Sequence, residues 1–203
     1  MAGKPRRRYR AMELARIISY VPQSTRAAFS FTVEQVVMMG RTPHMGHLGL
    51  AGELDRRVAA AAMEMTGVTK LAARPLESLS GGEQQTVMIT RALAQQPRLM
   101  LLDEPTSHLD VRHQLDIHAL MATLAHDWGM AVVCVSHDVN LAGRFADQLV
   151  LLSEGRPAAA GTPLQVITAD VLARVYRVSV RLADVGLGTP IVVAGEIQQR
   201  QEK

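Results

Sequence analysis

Aromatic side chains are scarce in this sequence: one Trp, three Tyr and three Phe among 203 residues. Stacking platforms for single-stranded nucleic acid need several such rings in a basic setting. The one dense basic cluster, Lys4, Arg6, Arg7, Arg8 and Arg10, has only Tyr9 within it. It reads as solvated surface, and no nucleic-acid partner is expected. Cysteine occurs once, as Cys134. That excludes an internal disulfide, and its place in an apolar strand pattern reads as a buried structural thiol. No apolar run approaches the roughly 18 residues of a membrane-spanning helix, and the basic N-terminus has no apolar stretch behind it. Any role at a membrane is therefore expected to come through a partner. Internal repeats and low-complexity tracts are missing as well.

What remains is an ordinary α/β composition, 48% hydrophobic and 20% charged with a net charge of +3. It suits one compact domain with a small appendage. The organising stretch runs from Leu79 to Asp110. An apolar run, Leu99 to Leu102, ends in the adjacent carboxylates Asp103 and Glu104. This reads as a buried parallel strand delivering both acids to the carboxyl edge of a sheet, where α/β folds keep their ligands. One carboxylate can hold a metal and the next can orient a water. Upstream, Ser80-Gly81-Gly82 precedes a run of helix formers from Glu83 to Gln96. Small residues opening a helix offer backbone N–H groups and the positive dipole end to an anion, which makes a phosphate seat.

Along the chain, Glu13 to Val21 reads as a helix end leading into the strand Ile17 to Val21, stopped by Pro22 and followed by Gln23. Thr32 to Val37 predicts a helix opened by a capping box with Gln35. Glu53 to Met65 predicts a longer one with Val58, Ala62 and Met65 on one face. Residues 24–78 thus form a helical insertion suited to touching another protein. His44 and His47, with Met39 and Met45 nearby, sit in a stretch broken by Pro43 and glycines, so no metal is expected there. His108, His113 and His118 recur every five residues and fall on different helix faces. A helix over about 111–126, a strand over 130–135 ending before His137, and a helix over 139–146 follow. A hairpin turning at Gly155, a Thr162-Pro163 helix start and a C-terminal extension over 168–203 close the chain.

Together these segments resemble the nucleotide-binding subunits of ABC transporters: Leu79 to Gln85 the signature, Leu99 to Glu104 the Walker B strand, Ser107 to Asp110 the D-loop, Tyr20 to Gln23 the Q-loop and Ser136-His137 the H-loop. Thr86 and Thr90 depart from the family, which usually has Arg and Ala there. The resemblance implies a P-loop NTPase-like α/β core with a helical subdomain, and ATP and Mg²⁺ as cofactors. In it Asp103 and Gln23 hold Mg²⁺, Glu104 polarises the attacking water, and His137 steadies the γ-phosphate. Ser80, Gly81, Gly82, Gln84 and Asp110 face the nucleotide, the signature closing on ATP bound to a second copy. Met39 to His44, together with His108 and Arg112-His113-Gln114, look like the branch serving iron-siderophore, haem and cobalamin importers. That implies permease subunits as membrane partners, a binding protein acting through them, and a peripheral place on the cytoplasmic face. A ferric siderophore is the first expectation for cargo. The rivals are a soluble ABC ATPase and a regulatory or catalytically impaired fragment.

The family's Gly-x-x-x-x-Gly-Lys-Ser/Thr loop is missing. The only lysines, Lys4, Lys70 and Lys203, follow no glycine loop. Ala2 to Gln23 resembles the segment just after that loop's helix, so the chain is expected to begin part-way into a normal subunit, lacking the N-terminal strands. A start placed too late, or a fragmentary gene, is the favoured explanation over a short native protein.

Overall fold

The computed structural model describes residues 6–23, 30–46 and 49–197. Two compact units divide the chain, Met1–Ser136 and His137–Lys203.

In the first unit, α1 (Ala11–Ala15) leads into β1 (Ile18–Val21); α2 (Val33–Met39), α3 (Glu53–Met65) and α4 (Gly81–Ala94) follow. Then come β2 (Leu99–Asp103), α5 (Val111–His126) and β3 (Ala131–Val135). The strands form a parallel sheet in the order β1-β2-β3, with Val21 opposite Leu102 and Asp103 opposite Val135. The expected strand therefore lies at the centre of the sheet and carries Asp103 at its carboxyl end. Residues that pair across parallel strands share a face. Ser19, Val21, Met100 and Leu102 are buried on one face, with Val132 and Cys134 packed beside them. Val87, Met88 and Ile89 of α4 and Ile117, Met121 and Leu124 of α5 belong to the same core. Each such aliphatic side chain contributes about 1.5–3 kcal/mol on burial. The opposite face exposes Tyr20, Val133 and Val135.

Cys134 is half-buried in this core. Burial, helped by the Asp103 carboxylate, pushes its thiol up to about 11, so it stays protonated and inert at neutral pH.

The helices start as their local chemistry dictates. Thr32 caps α2 and Gln35 reaches back to the Thr32 N–H, the expected capping box. The buried face of α3 is Asp55, Ala59, Ala62 and Met63. Val58 and Met65, placed on that face by sequence, are only half-buried, and Asp55, which accepts from the buried Arg41 at 3.0 Å, takes a place on the inner face instead. Helix α4 begins at Gly81, opened by the small residues as expected, while Gln96, expected within it, has φ +53° and lies beyond its end.

The second unit holds α6 (Val139–Phe145), the antiparallel hairpin β4 (Leu149–Ser153) and β5 (Arg156–Gly161), α7 (Pro163–Val166), α8 (Ala169–Tyr176) and the hairpin β6 (Val178–Ala183) and β7 (Ile191–Ile197). Glu154 and Gly155 both have positive φ, +51° and +74°, as a tight two-residue hairpin turn requires. Thr162 and Pro163 open α7 as expected. Leu149, Val166, Ile167 and Leu172 form a separate small core. Asn140 ties α6 to β7 by accepting from the Val192 N–H at 2.7 Å.

Candidate functional site

Both ends of the candidate site rest on backbone geometry. Glu104 follows β2 directly in the left-handed region, φ +44°, a conformation that costs a non-glycine residue of order 1 kcal/mol. Its N–H donates to the Val135 carbonyl at 3.0 Å, which holds the chain in that turn. The bend carries the Glu104 carboxylate toward the end of β1. There Gln23 Nε2 donates to Glu104 Oε2 at 2.8 Å. Two residues that sequence reasoning placed in one site, 81 positions apart, are thus in direct contact. The neighbouring acid, Asp103, accepts from the Tyr20 hydroxyl at 3.1 Å. That bond holds the phenol proton and raises the pKa of Tyr20 above its ordinary value.

The signature residues form the opposite wall. Ser80 is the N-cap of α4, and its hydroxyl accepts from the Glu83 N–H at 3.3 Å. Glu83 reaches back to the Ser80 N–H at 2.8 Å and to its hydroxyl at 2.9 Å. Those donations, from the N–H first, hold the Glu83 carboxyl below its ordinary pKa. This capping box is a local Ser-x-x-Glu pattern that was available in the sequence and was not read there. Gly81 and Gly82 occupy the first two helical positions, whose N–H groups have no acceptor within a helix. Gln84 is turned back onto the Leu79 carbonyl at 3.0 Å.

Gln23, Gly81, Gln84, Glu104 and His108 line one cleft of about 190 Å³. Gln85 lines the same cleft, and its Nε2 is buried with no hydrogen-bond partner among the described residues. Sequence reasoning gave it no role.

Asp110 caps α5 by accepting from the His113 N–H at 3.0 Å, while His113 Nδ1 lies 2.8 Å from its other oxygen. These bonds hold the Asp110 carboxyl below its ordinary pKa. Gln114 donates to the Thr106 carbonyl at 3.2 Å, so the first turn of α5 also secures the loop leaving Glu104. His137 belongs to the second unit and immediately precedes Asp138, which caps α6 by accepting from the N–H groups of Asn140 and Leu141 at 2.9 Å.

The motif around Arg41 proves to be structural. Arg41 is 2% exposed; it donates to Asp55 at 3.0 Å, to the Ala94 carbonyl at 2.8 Å and to Gln96 at 3.0 Å. A Cβ on Gly40 would stand 2.1 Å from the Arg91 carbonyl oxygen. His44 Nε2 bonds the Gln95 carbonyl at 2.9 Å. His47 lies outside the described residues. Thr90, one of the two departures from the family pattern, is fully buried and bonds Thr66 of the α3 cap at 2.7 Å and the Thr86 carbonyl at 2.7 Å.

Comparison with known proteins fits this geometry. The ABC transporter family model matches residues 1–107. The hemin import ATP-binding protein HmuV of Burkholderia pseudomallei is 38% identical over 94% of this chain and 74% of its own length. The iron(3+)-hydroxamate import ATP-binding protein FhuC of Bacillus subtilis is 38% identical over 89% of this chain and 67% of its own. An ABC transporter described as metal-chelate type, solved in an inward-facing conformation, superposes with a TM-score of 0.82 at 31% identity, covering 88% of this chain and 73% of that one. The chain belongs to the ATP-binding subunits of ABC transporters, on the branch of the iron-siderophore, haem and cobalamin importers.

Proposed function

We propose that this ATPase subunit drives uptake of a ferric siderophore through a membrane permease, with haem or cobalamin as the next cargo candidates. The observation that carries the ATPase reading is the Gln23–Glu104 hydrogen bond at 2.8 Å at the carboxyl edge of the sheet; the cargo follows from the import proteins that the chain resembles.

Glu104 is assigned to accept a proton from the attacking water, and Gln23 to hold its carboxylate and report movement of the partner. Asp103 and the Gln23 amide oxygen are hard oxygen donors at one sheet edge. They suit Mg²⁺, which keeps most of its waters and takes few protein ligands. Bound there, Mg²⁺ would neutralise charge developing on the phosphates. Gln23 can serve both roles because its Nε2 faces Glu104 and its oxygen is left as an acceptor. His137 is assigned to the γ-phosphate. Ser80, Gly81, Gly82 and Gln84 are assigned to the nucleotide held by a second copy, with Asp110 beside it. The 203 residues include no Gly-x-x-x-x-Gly-Lys-Ser/Thr loop, so these assignments concern the catalytic and signature parts alone.

Residues 24–78 are assigned to transmit closure to the permease at the cytoplasmic face. Among the described residues no helix is long and apolar enough to cross a membrane, and the Arg41 clamp holds α2, α3 and the end of α4 as one body able to transmit a push. A strain lacking the protein should lose uptake of radiolabelled ferric hydroxamate, regain it with the intact gene, and not regain it with Glu104→Gln. Unimpaired ferric hydroxamate uptake with loss of haem uptake would move the cargo to haem. Loss of cobalamin uptake alone would move it to cobalamin, and normal uptake of all three would overturn the assignment.

A further inference from the structure

Gly82 has no room for a side chain because of one imidazole. A Cβ there would stand 2.2 Å from Cδ2 of His113 and 2.7 Å from its Nε2. The other side of the ring is tied to Asp110, with Nδ1 2.8 Å from Oδ2. A carboxylate only accepts, so Nδ1 carries the proton. Asp110 already caps α5 through the His113 backbone N–H, and capping needs no ring. The imidazole therefore does something additional: it spans from the capping acid of α5 to the first turn of α4.

That turn is itself a linked structure. Glu83 holds the Ser80 N–H and hydroxyl, and its carboxyl is further favoured in its charged form by the nearby Arg74 and His113. Leu109, just before Asp110, stands at ordinary contact distance, 3.7 Å, from where a Gly81 Cβ would be. His113 thus sits between the two carboxylates, Glu83 and Asp110, that organise the signature serine and the D-loop.

We propose that His113 is a positioning residue: its imidazole couples the Asp110 turn to the signature end of α4, so that both meet the nucleotide as one rigid piece. The proposal rests on the reading that Ser80 to Gly82 and Asp110 face nucleotide. Without the ring, each segment would have to be ordered separately at closure, a cost that falls on turnover more than on first binding of ATP.

The test compares Asp110→Ala, His113→Ala and His113→Asn in the protein purified from its native cells with its permease, reading kcat, KM for ATP and the thermal midpoint. Asn places an amide nitrogen where Nδ1 stands, keeping the bond to Asp110 while losing the far half of the ring. His113→Ala should lower kcat about tenfold, the scale of one charge-assisted hydrogen bond, with KM within about twofold. His113→Asn should lower kcat as much as His113→Ala, because the bond it keeps to Asp110 no longer reaches α4, while its thermal midpoint, supported by that bond, stays near wild type. Full turnover in His113→Asn would show that the bond to Asp110 alone suffices, and losses of kcat that follow the midpoint in both variants would reduce the ring to packing; either result would overturn the proposal. So would loss of turnover in Asp110→Ala with full turnover in His113→Ala. An Asp110→Ala protein with unchanged turnover would overturn the underlying nucleotide reading, and this proposal with it. Should His113→Ala fail to fold, His113→Asn alone decides, because wild-type kcat without the reach to α4 contradicts the proposal.

Discussion

The two ends of α4 are both built from polar residues and solve opposite problems. At the C-terminal end, Arg41 is buried and makes bonds to Asp55, the Ala94 carbonyl and Gln96, so every contact is internal. At the N-terminal end, Ser80 and Glu83 bond each other at the surface, and the first-turn N–H groups beside them face a cleft. A buried ionic clamp fixes where the helix points. A capped but uncovered start leaves donors for something that arrives. The contrast shows how one helix can be held firmly and still present an adaptable site.

Removing the clamp should have the largest effect. Arg41→Ala leaves Asp55 buried without its partner, which should cost about 3–5 kcal/mol in thermal or urea unfolding. Arg41→Lys should recover only part of this, because one ammonium cannot replace the forked contacts. If Arg41→Ala unfolds like wild type, the clamp does not hold the helix.

The glycines sharpen the comparison. Gly40→Ala forces a Cβ to 2.1 Å from a backbone oxygen and should cost about 1–3 kcal/mol. Gly81→Ala meets only Leu109 at 3.7 Å, so its effect on stability should stay within about 1 kcal/mol. Equal costs would erase the distinction between the closed and the open end.

A smaller effect tests the clamp by pH. The Gly52 N–H, and then the Arg41 guanidinium, hold the Asp55 carboxyl below its ordinary pKa. A lowered folded-state pKa adds stability that is present above the ordinary carboxylate range and is lost as pH falls through the folded value. Unfolding followed below about pH 4 should therefore steepen in wild type. In Asp55→Asn that part of the slope should vanish.

How much of this was legible in the sequence depends on the range of the interaction. The β2 strand, its two terminal acids and the span of α5 were readable, because strand and helix periodicities and the Asp110 cap are local signals. The contact between Gln23 and Glu104 was reachable through the family resemblance alone. The Arg41 clamp was not readable: its partners lie 14, 53 and 55 positions away, and no local pattern announces them, so the motif around it served only as a mark of lineage. The inner face of α3 was missed for the same reason, since a buried Asp55 contradicts any apolar-stripe count until Arg41 is known. His113 was set aside as a non-ligand by its spacing. Its role depends on the closeness of Gly82, which only packing shows.

The most direct test of the account is Mg-ATP turnover by the protein purified from its native cells with its permease, wild type against Glu104→Gln, alongside ATP binding. The account predicts that turnover falls by about 10²–10⁴, the contribution of a positioned general base, while ATP affinity is retained. Turnover equal to wild type in Glu104→Gln would contradict it.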